Sequence, residues 1–315
     1  MTIFRVCIVA LLLVLSACSN DAPIAPTKIG TNVWPGYEPL YLARAKELLA
    51  PEKVQLIEYS SASEVIRSFR NGSLDAAALT LDEVLMLLQS GIPVKVVLVM
   101  DISEGGDAIL SRPEIASFSQ LKGKRIAVES NVLGAYVISR ALELNNMSLS
   151  DVNIENIGVG EHIEAYSKNQ VDAVVTFEPV RTSLLKLGAN EVFTSREIPG
   201  EIVDVLVVHE EYLLSNPARI RHIVQAWFDT LDYMSEQKEE AMEIIAKRLF
   251  ITADEVEASY HGLQLPRLDK NKQLLAGSRP SLETALMRLE QTMLTNKLLI
   301  RDLDTTELLS GEMLE

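Results

Sequence analysis

The sequence of 315 residues contains few cysteines and histidines, and these shortages exclude several kinds of site. Its two cysteines, Cys7 and Cys18, both lie close to the N-terminus. The rest of the chain therefore offers no disulfide and no catalytic thiol. The four histidines are not spaced like metal ligands, and no Walker A, G-x-S-x-G or G-x-G-x-x-G motif occurs. We therefore expect no metal, no cofactor and no enzymatic activity.

Basic residues are also scarce. The chain has 29 Lys and Arg against 44 Asp and Glu, which gives a formal net charge of −15. An acidic surface repels nucleic acid and anionic lipid, so neither is an expected partner. The sign of a small ligand stays open, because a local site can oppose the overall field.

The N-terminus carries one apolar run, Val6–Leu15, after the single charge of Arg5. Such a run is typical of a secretory signal and is too short for a membrane span. It ends in Leu15-Ser16-Ala17-Cys18, which resembles the cleavage site of bacterial lipoproteins.

That resemblance implies a lipoprotein signal peptide over residues 1–17, a lipidated Cys18 and a tether over residues 18–27. An ordinary signal peptide with an accidental cysteine is the alternative. In many Gram-negative bacteria the residue after the lipidated cysteine directs sorting. Ser19 at this place favours the outer membrane, with the protein facing the periplasm, and anchoring in the inner membrane stays open.

Strand-like and helix-like segments alternate along most of the chain. KIGTNV, VQLIEYS, LDAAALT and VKVVLVMDIS favour strands, and helical patterns lie between them. The alternation starts again at KRIAVES, and from Pro217 onwards the pattern is mostly helical. This order predicts an α/β fold with buried, largely parallel strands.

Two segments resemble each other, residues 70–91 and 168–188. In each, an apolar strand reaches a threonine (Thr80, Thr176), an acid follows two residues later (Asp82, Glu178), and a helix begins. The pattern indicates two similar lobes, although chance similarity between two strand-helix units is an alternative. Ligands of open α/β sheets bind beyond the carboxyl ends of the strands, so we expect a cleft between the lobes.

The order of several short motifs resembles the periplasmic substrate-binding proteins of ABC transporters. The motifs are WPGYEPLYLA, NGSLDAAALT, DISEGGDAIL, LKGKRIAVESNVLGAYVISRAL and VDAVVTFEP. The branch they match is the nitrate, alkanesulfonate and thiamine-precursor type, which includes SsuA. The resemblance implies a type II binding-protein fold, with two lobes joined by two crossovers. Lobe one would hold residues 28–105 and 204–315, and lobe two residues 106–203.

The resemblance places the first strand-helix junction, with Trp34 and Tyr37, at the edge of the cleft, where aromatic rings can contact a ligand or a cation. Gly36 is expected to allow a tight turn there. Ser130 or Asn131 can cap the helix that follows Glu129. The acids that can face the cleft are Asp82, Asp101, Asp107, Glu129, Glu178 and Asp204. The residues predicted to bind the ligand are Trp34, Tyr37, Thr80, Asp82, Asp101, Ser130, Asn131, Thr176, Glu178 and Asp204.

Few basic residues accompany these candidates; Arg112 and Arg181 are the nearest. The set therefore favours a neutral or cationic ligand, such as an amine or an aminopyrimidine. The resemblance implies a monomeric solute receptor that closes about a hinge and delivers its ligand to an inner-membrane ABC permease. The alternatives are a ligand-loaded regulator that docks on a membrane sensor, and a biosynthetic enzyme of related fold.

Overall fold

The computed structural model describes residues 25–277 and 280–315. The predicted signal peptide, Cys18 and Ser19 lie outside the described residues. The described chain folds around two β-sheets, each flanked by helices.

The first sheet has six strands in the order β11-β4-β10-β3-β1-β2. The strands β1, β2 and β3 run parallel, whereas β10 lies antiparallel between β3 and β4. The bounds of these strands are β1 Thr27–Asn32, β2 Val54–Tyr59, β3 Ala76–Thr80, β4 Val94–Ser103, β10 Val203–His209 and β11 Leu263–Gln264.

The second sheet has five strands in the order β7-β6-β8-β5-β9. Here β5 is the antiparallel strand, between β8 and β9. The bounds are β5 Asp107–Ser111, β6 Arg125–Val128, β7 Asn153–Asn156, β8 Ala173–Phe177 and β9 Asn190–Thr194. In both sheets, the strand that lies antiparallel between two neighbours is the first strand in the chain after a crossover from the other sheet.

Twelve α-helices cover the sheets in the described residues. Those of the N-terminal half are α1 Glu38–Ala45, α2 Ala62–Arg70, α3 Leu81–Gln89, α4 Val132–Leu144, α5 His162–Ser167 and α6 Val180–Lys186. The C-terminal helices are α7 Glu210–Ser215, α8 Pro217–Glu236, α9 Lys238–Leu249, α10 Ala253–Tyr260, α11 Leu268–Leu275 and α12 Ser281–Thr295. Across residues 25–277 and 280–315, no helix combines the length and the apolar character that a membrane crossing requires.

The predicted α/β fold with two crossovers is confirmed. The chain crosses from β4 to β5 and returns from β9 to β10. The two crossovers lie side by side, since the hydroxyls of Ser103 and Ser195 are 2.8 Å apart and the Gly105 N–H donates to Ser195 Oγ at 2.6 Å. The strands of the two repeated segments, β3 and β8, occupy corresponding places in the two sheets. The proposed lobe boundaries at residues 105/106 and 203/204 stay a prediction.

Asn271 of α11 supports an irregular part of the first sheet. Asp204 pairs with Asp101 whereas Val205 pairs with Val99, so Met100 is an extra residue in β4. The fully buried Asn271 side chain accepts from Val99 N at 2.7 Å and donates to Val99 O at 3.0 Å. Asn271 thus makes the two hydrogen bonds to Val99, beside the bulge, that a neighbouring strand would otherwise make.

Replacing Asn271 with Ala should therefore destabilise the protein. The change leaves the Val99 N–H and C=O buried without partners, and we expect a loss of about 3 kcal/mol in the free energy of unfolding. Urea unfolding measures it. Lys272→Ala, on an exposed turn of the same helix, is the matched control and should change stability by less than about 0.5 kcal/mol. Equal effects of the two variants would contradict the role of Asn271.

Candidate functional site

A partly open pocket lies between the two sheets, at the ends of β1, β3 and β8 and the start of β10. Its volume of about 30 Å³ corresponds to about two or three water molecules. Both sheets and the helices that follow their strands contribute side chains. The lining residues are Asn32, Trp34, Tyr37, Ala62, Thr80, Glu83, Asp107, Glu129, Asn131, Leu133, Phe177 and Asp204.

Trp34 forms one wall of this pocket and contacts both sheets. Its indole N–H donates to Asp101 Oδ2 at 3.0 Å, and its ring meets Phe177 of β8 edge-on, with 5.8 Å between the ring centroids. Gly36 makes this arrangement possible, because a Cβ there would lie 1.9 Å from Asp101 Oδ2. Gly36 is not among the residues with positive φ. The expected tight turn is present as a 3-10 turn over Pro35–Tyr37. Glycine is required there by close packing against Asp101 and not by a positive φ.

Tyr37 and Asp204 form the floor of the pocket. The Tyr37 hydroxyl donates to Asp204 Oδ1. Asp204 of β10 lies opposite Asp101 of β4, so two carboxyls are neighbours in a buried part of the sheet. Burial raises the pKa of Asp101 to about 8. Burial and the Asp101 carboxyl also raise the pKa of Asp204.

The first turn of α3 contributes two further acids. Glu83 Oε2 accepts from the backbone N–H of Thr80 at 3.1 Å, while Glu83 Oε1 is buried without a hydrogen-bond partner. Burial and then the Asp82 charge raise the pKa of Glu83 to about 8. Asp82 lies behind the pocket wall, where burial raises its pKa to about 6. A buried acid with an unpartnered oxygen needs a proton or a donor from a ligand.

The second sheet closes the pocket with Asp107, Glu129 and Asn131. Asp107, the first residue of β5, has one unpartnered buried oxygen, Oδ2, and burial raises its pKa to about 7. Asn131 caps α4, because its Oδ1 accepts from Gly134 N at 2.7 Å, and its Nδ2 donates to Glu129 Oε2 at 2.8 Å. Burial raises the pKa of Glu129 as well.

No basic residue lines this pocket in the described part of the chain. Arg112 bonds to the backbone carbonyls of Tyr166 and Val171, away from the cleft. Arg181 is paired with Glu178 and Glu191. The pocket is therefore acidic, aromatic and without a counter-charge from the protein.

The structure brings together half of the residues predicted to bind the ligand. Those that line the pocket are Trp34, Tyr37, Thr80, Asn131 and Asp204. Asp82 and Asp101 stand just behind it. Thr176 lines a smaller adjoining cavity, and Ser130 lies outside in a larger groove of about 640 Å³.

Glu178 has a different environment from the other predicted acids. Its carboxylate accepts from Arg181 Nη1 at 2.9 Å, from the Thr182 N–H at 3.1 Å and from the Thr182 hydroxyl at 3.0 Å. These bonds hold the start of α6. With its oxygens engaged in this way, Glu178 does not line the pocket.

Sequence reasoning did not select several pocket residues. The apolar and amide positions were Asn32, Ala62, Leu133 and Phe177, which have no distinctive sequence signal. Glu83 had one, because Thr80-x-x-Glu83 matches the capping box that opens a helix. Within residues 25–277 and 280–315 no group of three or more His, Cys, Asp or Glu is placed to hold a metal ion.

The comparisons with known proteins agree with this fold. A model of the NMT1-like family matches residues 20–250, well over half of the chain. The chain belongs to the NMT1-like family. The fold is that of periplasmic binding proteins: the alkanesulfonate-binding protein SsuA of Xanthomonas axonopodis pv. citri, solved with bound MOPS, superimposes with a TM-score of 0.75. It is 16% identical, and the match covers 90% of this chain and 96% of that one.

Two curated relatives of this NMT1-like chain are more similar in sequence. The taurine-binding periplasmic protein of Escherichia coli K12 is 23% identical over 199 residues, which are 61% of this chain and 62% of that protein. A binding protein of Brucella abortus is 24% identical over 151 residues, 45% of this chain and 46% of that protein. The chain thus spans about half the length of the Brucella relative that it matches.

The buried acids predict an unusual pH dependence of the ligand-free protein. Asp82, Glu83, Asp101 and Asp107 have raised pKa values in the fold, so the folded state holds more protons than the unfolded chain. The stability from these protonated carboxyls is present at low pH and is lost as the pH rises through about 6 to 8. Calorimetry should show the unfolding free energy falling between about pH 5 and pH 8, by up to about 1.4 kcal/mol per pH unit for each extra proton.

Asp107→Asn should flatten this profile, because the amide cannot ionise. Glu155→Gln, on the exposed strand β7, should leave the profile unchanged. A stability that is flat or rises across this range in the wild-type protein would show that the pocket acids do not have raised pKa values.

Proposed function

We propose that this protein is a periplasmic solute receptor of an ABC importer, and that its ligand is neutral or cationic, such as an amine or an aminopyrimidine. The observation that carries the proposal is the pocket itself. It presents four acids, Glu83, Asp107, Glu129 and Asp204, with no basic residue. Carboxyls in such a place attract hydrogen-bond donors and cations and repel anions.

The relatives support the receptor role but not the same ligand chemistry. The named ligands of the comparison proteins, taurine and alkanesulfonate, carry a sulfonate group. An anionic sulfonate needs donors such as Arg or Lys, and the lining of this pocket supplies neither. A shared fold does not imply a shared ligand, so the charge of the site carries more weight here.

Hinge closure is the mechanism that the geometry favours. Walls from both sheets meet at the pocket, as in the Trp34–Phe177 contact, and only two crossovers connect the sheets. A ligand that touches both sides stabilises the closed arrangement by its differential contacts. The closed receptor would then dock on an inner-membrane permease, and no covalent chemistry is required.

A ligand screen by thermal shift tests the proposal. Amines, aminopyrimidines, amino acids, nitrate, sulfonates and bicarbonate are the probes, and a ligand at 100 times its Kd should stabilise the fold by about 2.7 kcal/mol. We expect hits among amines or aminopyrimidines. Trp34→Ala should weaken them about tenfold or more, because the ring can hold a cation or stack on an aromatic ligand.

Phe250→Ala is the control, because Phe250 is an aromatic residue with 95% of its surface exposed. It should bind every hit as the wild type does. Binding only of nitrate or sulfonates would overturn the proposed ligand chemistry. Equal losses of affinity in Trp34→Ala and Phe250→Ala would show that the hits do not bind in this pocket.

We also propose that the receptor is anchored to a membrane by a lipid on Cys18. The support is the sequence Leu15-Ser16-Ala17-Cys18 at the end of an apolar run. Cells fed labelled palmitate should yield labelled protein in the membrane fraction. Cys18→Ala should abolish the label, whereas Cys7→Ala, inside the proposed signal peptide, should retain it. A wild-type protein without label would disprove the anchor.

A further inference from the structure

The pocket acids come from both sides of the cleft. Glu83 and Asp204 belong to the first sheet and its helix α3, where Asp82 precedes Glu83 and Asp101 pairs with Asp204. Asp107 and Glu129 belong to the second sheet and its loop. Closing the cleft therefore brings two sets of carboxyls towards each other across one enclosed space. Like charges in a poorly solvated site repel strongly, so the two sets cannot both ionise without a cation between them.

Each side presents a buried oxygen without a partner. Glu83 is 1% exposed with Oε1 unpartnered, and Asp107 is 4% exposed with Oδ2 unpartnered. Both residues line the pocket. Buried polar atoms in proteins are nearly always hydrogen-bonded, so an unpartnered pair on facing walls calls for donors from a bound molecule. One donor group of the ligand can bond to the acid of one wall, and the acid of the opposite wall requires a second donor group.

Apolar side chains line the pocket together with the two acid sets. Trp34, Phe177 and Leu133 line the same space, which holds about two or three water molecules. Hydrocarbon packs well against aromatic rings, whereas a polar spacer would have few partners there. A short apolar spacer with a donor group at each end suits this lining, once the cleft has opened far enough to admit it.

We propose that the ligand is a short dication, such as an α,ω-diamine, whose two cationic groups each meet one of the acid sets. One ammonium contacts Glu83 and Asp204, and the other contacts Asp107 and Glu129. The dication would thus stabilise the closed state, because it forms ion pairs with acids from both sheets. A monocation would leave one set unpaired. This inference rests on the proposed receptor function and narrows its ligand class.

Isothermal titration of matched amines tests the inference. The probes are 1,3-diaminopropane, 1,4-diaminobutane and 1,5-diaminopentane, each paired with the monoamine of the same carbon number, at about pH 8, where the pocket carboxyls can ionise. At least one diamine should bind about 30-fold or more tightly than its monoamine, as expected for one additional buried ion pair.

Two isosteric variants test whether each acid set binds one of the two ammonium groups of the ligand. Asp107→Asn and Glu83→Gln should each cut the affinity for the best diamine by about 30-fold, because each leaves one ammonium facing an amide. In at least one of them the preference for diamine over monoamine should fall to within about threefold. Neither should lower the ligand-free melting temperature, since each removes a buried acid with an unpartnered oxygen. Glu155→Gln is the exposed control and should bind like the wild type.

The outcomes separate this inference from the proposed function. A monoamine or an aminopyrimidine that binds as tightly as every diamine, with losses in the same variants, would overturn the dication and keep the cation receptor. Binding of sulfonate or nitrate, or of no cation, would overturn the proposed ligand chemistry as well. Should Asp107→Asn fail to fold, Glu129→Gln on the same wall provides the same measurement.

Discussion

The repulsion among buried carboxyls is the constraint that organises this structure. Parallel strands bring the residues at their carboxyl ends to one edge of a sheet, and two such edges meet here. Neutral groups, and not arginines, donate hydrogen bonds to two of these acids. The indole N–H of Trp34 donates to Asp101, and the hydroxyl of Tyr37 donates to Asp204. A neutral donor orients a carboxyl without cancelling its charge. These hydrogen bonds therefore hold the acids in place but do not neutralise them when they ionise, so a cation can still bind.

Two of the acids lie beside the crossovers, so the proposed hinge closure would move them. Asp107 is the first residue of β5 and Asp204 the second residue of β10, the strands that follow the two crossings. Any rotation about the crossovers changes the distance between the acid sets. The bulge at Met100, braced by Asn271, sets Asp101 opposite Asp204; without it Asp204 would face Met100. A core asparagine remote from the pocket thus helps to define the pocket's charge.

The fold was largely predictable from the sequence, because buried strands are continuous apolar runs and amphipathic helices separate them. Strand β9 was not anticipated: it is short and only partly buried at the sheet edge. The repeat made Asp82 and Glu178 look equivalent, yet Arg181 lies three residues after Glu178, where Leu85 follows Asp82. That spacing favours a local ion pair and could have been recognised. The Met100 bulge had no sequence signal, and Asn271, which bonds to Val99 beside it, lies 172 positions from Val99 in the chain.

The fold does not determine the charge of the ligand, whereas the side chains that line the pocket do influence it. The backbone arrangement is shared with a sulfonate-binding protein at 16% identity, so the fold is compatible with anions. Among the described residues, four acids and no base line the pocket. The sign of such a site is set by a few side chains at strand ends, in loops and at helix starts. Ligand class in this architecture is therefore better inferred from the charges around the cleft than from overall similarity, and these charges favour a cation.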